Sequence, residues 1–296
     1  MIRPMDSIDI RVGTEEDTHA IIQFALTLSE DPFTSRDQWQ KTLQQPGVYP
    51  LVAVFQHNIV GKLQAQVLGN YGWLEAARVS PDFRNMGLAH TLVDSAMDWL
   101  IHQGVTIIRT VVDSDNMAAR KILERHHFSP TFLSINPSAR VVEDDSDPML
   151  TADFAPVLDE ELYNHYAIML KEHTAGNIML DGHYLPFTKE LMQQLIEQRR
   201  MYTTSDDSTL LIVSQHNLPA EVHGFLVAAD IPHYLRGAKA LKGFAAREMA
   251  TLAICHAPSR REAVIGLAQR GFAWNQPHTI IIYDRDSWQE RTESEE

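Results

Sequence analysis

Apolar and polar positions alternate along residues 8–13, the two-residue period of a strand with one buried face. Residues 15–28 change period: Ile21, Ile22, Ala25 and Leu28 recur at helical spacing behind a capping Thr14. Strands follow at 51–55 and 60–68, joined by the turn Gln56-His57-Asn58, and Gly69-Asn70 turns the chain again. Residues 73–80 read as the next strand. Residues 86–103 form a helix with Leu88, Leu92, Ala96, Trp99 and Leu100 on one face, and Gly104 closes it. The β-branched run 105–112 is a strand of the buried type. A second amphipathic helix spans 116–126, and short strands are expected at 132–135 and 140–142.

The stretch 142–148, ValGluAspAspSerAspPro, is acidic, lacks apolar spacing and ends in proline. It reads as a linker, which puts the domains at 1–146 and 147–296. The second half echoes the first. LeuValAlaValPheGlnHisAsn (51–58) matches LeuLeuIleValSerGlnHisAsn (210–217), and GlyTrpLeuGluAlaAlaArgVal (72–79) resembles GlyPheLeuValAlaAlaAspIle (224–231). Helices ending at Phe128 and Phe272 are alike, and each leads into a strand. Three likenesses in one order point to a duplicated domain. The first two lie closer together in the second copy, so which strand residues 224–231 represent stays open.

Composition narrows the function. The chain has 296 residues, 44% of them hydrophobic and 22% charged, as in a globular protein. No apolar run reaches the ~20 residues of a membrane helix, and the first ten residues hold no signal-peptide core. A single cysteine, Cys255, cannot form an internal disulfide, so a cytoplasmic protein is expected. The net charge of −14 argues against a nucleic-acid partner. No metal spacing occurs among the histidines, so no metal is expected.

The chemistry concentrates in residues 73–128. A strand leads through Ser80-Pro81-Asp82-Phe83 into Arg84, Asn85, Met86, Gly87, Leu88, Ala89 and His90, which open a helix. The first N–H groups of a helix have no internal partner, and the helix dipole is positive there. Gly87 and Ala89 let a pyrophosphate approach the backbone, and Arg84 adds positive charge. This loop is similar to the acetyl-CoA motif of the GNAT superfamily, in which Arg or Gln precedes Gly-x-Gly or Gly-x-Ala. The downstream run AspSerAspAsnMetAlaAlaArgLysIleLeuGluArgHisHisPhe resembles the family's next motif, and the likeness extends over about residues 8–145.

The resemblance implies an α/β (α+β) fold: a mixed, mostly antiparallel central sheet flanked by helices. It implies an acetyl-CoA-dependent N-acetyltransferase acting on the amine of a small molecule or peptide. Ala77, Arg78 and Val79 would hold the pantetheine and acetyl group through the main chain. Residues from Asn85 to His90 would wrap the pyrophosphate through backbone N–H groups, with Arg84 at the mouth, and Asn116 would contact the cofactor, cap the following helix, or do both. Glu75 matches the proposed base of spermidine/spermine acetyltransferases. By strand period, 73, 75, 77 and 79 share a face, which aims Glu75 at the acetyl site. Pairing with Arg78 or orienting the substrate are its other roles. Leu123 stands where many GNAT enzymes place a tyrosine acid. A thiol of pKa about 8.5 is a tolerable leaving group without one, and Tyr71 or His127 are substitute donors. The second half lacks the Arg-x-x-Gly-x-Ala loop: Val227 stands at the Glu75 position, and Arg236-Gly237-Ala238-Lys239 does not fit. One cofactor site per chain is expected. The second half would then cover the substrate cleft, form a homodimer or add stability. A catalytically silent acyl-CoA sensor is the rival reading.

Overall fold

The computed structural model describes residues 7–28, 35–215, 220–274 and 279–287. The first six residues, the His216-Asn217 end of the repeat and the acidic run 288–296 lie outside them. Two compact units form. One gathers Met1–Val112, Asn116–Pro130 and Tyr283–Glu296; the other gathers Asp113–Asp115 and Thr131–Ile282.

The first unit runs β1 (Asp9–Val12), α1 (Thr18–Leu26), α2 (Arg36–Gln44), β2 (Val48–Phe55), β3 (Asn58–Leu68), β4 (Tyr71–Val79), α3 (Leu88–His102), β5 (Ile107–Asp113) and α4 (Met117–Arg125). Strands β1 to β4 pair antiparallel in order, and β5 joins β4 in parallel. The strand beyond β5 is the chain's last, Thr279–Asp286, whose residues from Tyr283 onward belong to this unit. Helix α1 starts three residues later than its apolar spacing suggests. Asp17 is held by Arg11 through two bonds of 2.7 Å and by the Thr14 N–H at 2.8 Å, which makes residues 15–17 a tight 3-10 turn. Helix α2 escapes the apolar pattern because only Trp39 on it is buried; Ser35 caps it, accepting from Gln38 N at 3.1 Å. Helix α3 packs on one sheet face where glycine leaves room: a Cβ on Gly72 would come within 2.8 Å of Leu100.

The second unit contains β6 (Ser129–Ile135, from Thr131), β7 (Ser138–Arg140), β8 (Phe154–Pro156), α5 (Tyr163–Thr174), β9 (Asn177–Leu180), β10 (His183–Pro186), α6 (Lys189–Glu197), β11 (Met201–Thr204), β12 (Thr209–Gln215), β13 (Glu221–Ala228), α7 (Ile231–Arg247), β14 (Leu252–Pro258) and α8 (Arg261–Ala268). Strands β8, β11, β12 and β13 pair antiparallel, and β14 joins β13 in parallel. On its other side β14 pairs with β6 and β7.

The stretch expected to be a linker is folded instead. Its Asp145 accepts from Val142 N at 2.8 Å and pairs with Lys242 of α7 at 2.9 Å, so charge that reads as solvated in sequence docks on a helix. The boundary near residue 146 therefore does not coincide with the division of the chain. The last described strand returns to β5, and Ser134 and Ile135 of β6 pair with Pro258 and Ala257 of β14.

The repeat is visible in local geometry. Gly224 of β13 faces Leu241 of α7 as Gly72 of β4 faces Leu100 of α3. Phe128 N bonds Leu123 O at 3.0 Å, and Phe272 N bonds Leu267 O at 3.2 Å. His127 (φ 61°) and Gly271 (φ 77°) fill the same left-handed position before each phenylalanine. The 51–58 likeness is out of place, however. β2 is two strands from β4, whereas β12 is next to β13. Strand β13 is thus the counterpart of β4.

Candidate active site

Parallel pairing of β4 with β5 ends at Leu74 and Thr110, where the Thr110 hydroxyl donates to Leu74 O at 2.8 Å. Beyond that pair β4 continues to Val79 with strand pairing, among the described residues, on its β3 edge, while Arg78 Nη1 donates to Ala77 O at 2.9 Å; main-chain N–H groups of the other edge are left to a ligand. The β3 register shifts here. Gln64 faces Glu75 and Lys62 faces Arg78, so Leu63 opposes both Ala76 and Ala77. Ala76 has φ 55°, and the extra residue bends β4.

This bulge corrects the expected alternation of 73, 75, 77 and 79. Cross-strand partners share a face. Trp73, Glu75 and Arg78 therefore lie with Gln66, Gln64 and Lys62, while Val79 lies with Gly61 on the face covered by α3. Glu75 is half-buried and accepts from Gln64 Nε2 at 2.6 Å and from the Trp73 side chain. Burial raises its pKa above the usual carboxylate range; the Trp73 bond and Lys62 oppose that shift.

After β4, Phe83 is buried against Phe55, 5.4 Å between ring centroids, and anchors the loop. Arg84 is exposed and donates to Val79 O at 3.3 Å. Asn85 (φ 60°) and Gly87 (φ 87°) both adopt left-handed backbone, and Gly87 caps α3, which begins at Leu88 rather than Met86. A Cβ on Gly87 would meet nothing within 4 Å, so the space beside the helix start is open. The Gly87 carbonyl takes the N–H groups of His90 at 2.9 Å and Thr91 at 3.2 Å. The loop and first-turn N–H groups before them have no place in the helical ladder. The side chain of Leu88 is in the core; Met86, Ala89 and His90 are partly exposed, and Ala77 is exposed. Asn116 caps α4, its Oδ1 accepting from Ala119 N at 3.1 Å.

Sequence spacing missed a group beside this loop. His90 Nδ1 lies 3.0 Å from His126 Nε2, and His126 Nδ1 lies 3.2 Å from Asp94. Arg125 reaches His90 Nε2 at 3.5 Å. Burial, the largest cause, lowers the His126 pKa. Asp94 and His126 are 32 positions apart by their numbers, and no local motif joins them. Neither substitute acid is well placed. Tyr71 sits at the closed end of the β4–β5 pair, about 13 Å along the strand from Glu75 at 3.3 Å per residue. His127 is exposed, and Leu123 is core.

The counterpart in the second unit is closed. Parallel pairing of β13 and β14 ends at Phe225 and His256, and the next residues, Leu226, Val227 and Ala228, are at most 1% exposed. Asp230 caps α7, accepting from His233 N at 3.0 Å. A carboxylate of the chain thus occupies the helix start. Gly237 lies inside α7, against Leu226. Cys255 is fully buried, which raises its thiol pKa.

Residues 17–128 match the profile of the acetyltransferase (GNAT) family. No curated protein matches the chain by sequence. The fold is similar to that of a GCN5-related N-acetyltransferase from Sphaerobacter thermophilus: TM-score 0.64, 13% identity, 95% of this chain and 96% of that one covered. A tandem GNAT protein from the clavulanic acid biosynthesis pathway aligns with TM-score 0.56 at 13% identity, covering 95% of this chain and 98% of its own. A putative acetyltransferase from Thermoplasma acidophilum gives 0.54 at 14%, covering 93% and 91%.

Proposed function

Because residues 17–128 form a domain of the GNAT acetyltransferase family, we propose that this chain is an N-acetyltransferase taking acetyl from acetyl-CoA to the amine of a small molecule or peptide. The observation that carries this reading is the parting of β4 from β5 beyond Leu74, directly before the open helix start at Gly87. Those features fit a thioester with a pyrophosphate tail. Main-chain groups of Ala77, Arg78 and Val79 hold the pantetheine end. The N–H groups from Asn85 to Ala89 hold the pyrophosphate, with Arg84 at the mouth and Asn116 at the flank; the His90 N–H expected to join them is taken by Gly87 O. The bound cosubstrate supplies an activated acetyl group.

Glu75 would accept a proton from the substrate ammonium, directly or through one water, freeing the amine to form the amide bond as the C–S bond breaks and the coenzyme leaves as thiolate, and N–H groups of 77–79 would stabilise charge on the thioester oxygen. Its raised pKa favours that role, since a base that holds its proton more firmly is a stronger acceptor. The closed β13–β14 junction and the Asp230 cap support a single site per chain. The buried Leu123 favours the rival reading of a silent acyl-CoA sensor. A thiol-release assay with acetyl-CoA and a panel of amines separates the two. Steady turnover on any amine supports the enzyme; tight acetyl-CoA binding without turnover on all of them supports the sensor.

A further inference from the structure

Glu75 is the end of a chain of side chains that starts on α2. The Thr42 hydroxyl donates to Gln64 Oε1 at 3.3 Å, and Gln64 Nε2 donates to Glu75 Oε1 at 2.6 Å. The two bonds orient the amide. Turning it over would set its oxygen against the carboxylate and leave the short contact repulsive. Gln64 sits on the central strand β3, directly across from Glu75, so its backbone is fixed by pairing on both sides. We propose that Gln64 is a positioning residue for the transfer reaction: it fixes the Glu75 carboxylate as a hydrogen-bond acceptor and ties it to α2 through Thr42. This rests on the assignment of Glu75 as base.

The consequence is electrostatic as well as geometric. The groups facing Glu75 include Gln64 and Lys62 from β3, Trp73 on β4 itself, and Thr42 of α2 behind the amide. Arg78 shares the face beyond the bulge. A neutral N–H donor stabilises the ionised carboxylate more than the protonated carboxyl. It therefore opposes the burial that raises the proton affinity of Glu75, and keeps the base available at lower pH. Loss of that donor makes the carboxyl protonate more readily.

Gln64→Met keeps the length of the side chain and removes the donor. Its acid limb in kcat/KM against pH should move up by about one pH unit, the tenfold effect of one charge-assisted hydrogen bond. The KM for acetyl-CoA should stay within about twofold, because the donor does not touch the cofactor loop. Thr42→Val should shift the limb the same way by less, and Gln64→Glu further than Gln64→Met, since it adds a like charge. A substrate-free readout runs beside the kinetics: the carboxyl band of Glu75 in infrared difference titration, wild type minus Glu75→Gln. Its midpoint should rise in Gln64→Met. An unmoved limb and an unmoved infrared midpoint in folded Gln64→Met overturn the positioning role, while Glu75 as base survives if Glu75→Gln is impaired. Full activity of Glu75→Gln overturns both.

Discussion

Asp284 is the test of how the chain's last strand holds the first unit. Arg109 of β5 is 3% exposed, and Asp284 grips it through two parallel bonds, Nε to Oδ1 at 2.6 Å and Nη2 to Oδ2 at 2.7 Å. Asp284→Ala removes both bonds and leaves a guanidinium without its carboxylate in the core. Breaking a buried pair from one side costs about 3–5 kcal/mol. The Asp284 side chain is 22% exposed, so water reaches that end of the gap, and the Tyr71 ring still lies 5.2 Å from the guanidinium. The lower bound, about 3 kcal/mol, follows. Against a total of roughly 5–15 kcal/mol this is a large fraction, and at about 2–4 °C per kcal/mol it lowers the calorimetric midpoint by about 6–12 °C. The double variant Arg109→Leu/Asp284→Leu removes the buried charge as well and should recover most of the loss. A midpoint for Asp284→Ala within about 2 °C of wild type would mean the pair behaves as an exposed one, worth at most about 1 kcal/mol, and the reasoning would fail.

Gly87→Glu should abolish acetyl-CoA binding in calorimetry while leaving the thermal midpoint within about 4 °C, because the new side chain enters open space but sets a charge at the phosphate position and strains a φ of 87°. Glu75→Gln should lower kcat by about 10²–10⁴-fold with little change in acetyl-CoA affinity; wild-type turnover would assign Glu75 to structure. Since burial raises the Glu75 pKa, the ionised base appears only above the usual carboxylate range, so kcat/KM should climb with pH through the raised value, and a profile flat from pH 4 upward contradicts it. Titration of the intact chain should give one acetyl-CoA per protomer, and two equivalent sites would overturn the reading of β13–β14 as closed. A fragment ending at residue 146 lacks Asp284, so it should melt lower than the intact chain or precipitate.

Periodicity located most of the first unit because its strands and its long helix each bury one face. The buried stripe of α3 and the β-branched run of β5 carry that signal directly. Two of the misses share a cause: the deciding contact is made by a polar residue far away in sequence. The acidic stretch looks solvated until Asp145 meets Lys242. Helix α2 shows a single buried residue. The histidine pair beside the loop depends on α3 and α4 meeting. Even the face of Glu75 changes through one extra residue in β4, which no alternation count detects.

The two copies show how a likeness in sequence can survive the loss of a site. What β4 and β13 keep is the glycine under the following helix, Gly72 beneath Leu100 and Gly224 beneath Leu241, because packing a helix this close to a sheet demands it. What differs lies just after the last parallel pair. In β4, Glu75, Ala76 and Ala77 leave polar and open backbone; in β13, Leu226, Val227 and Ala228 are sealed. The helix starts differ in the same sense. Gly87 brings no side chain of its own to the dipole, and Asp230 brings a carboxylate. A helix start that already holds an internal anion gains little from an external one, since both compete for the same few N–H groups. Replacing Asp230 by glycine would therefore not restore a phosphate site by itself, because the edge of β13 that would hold the rest of the ligand is already filled by its own buried side chains.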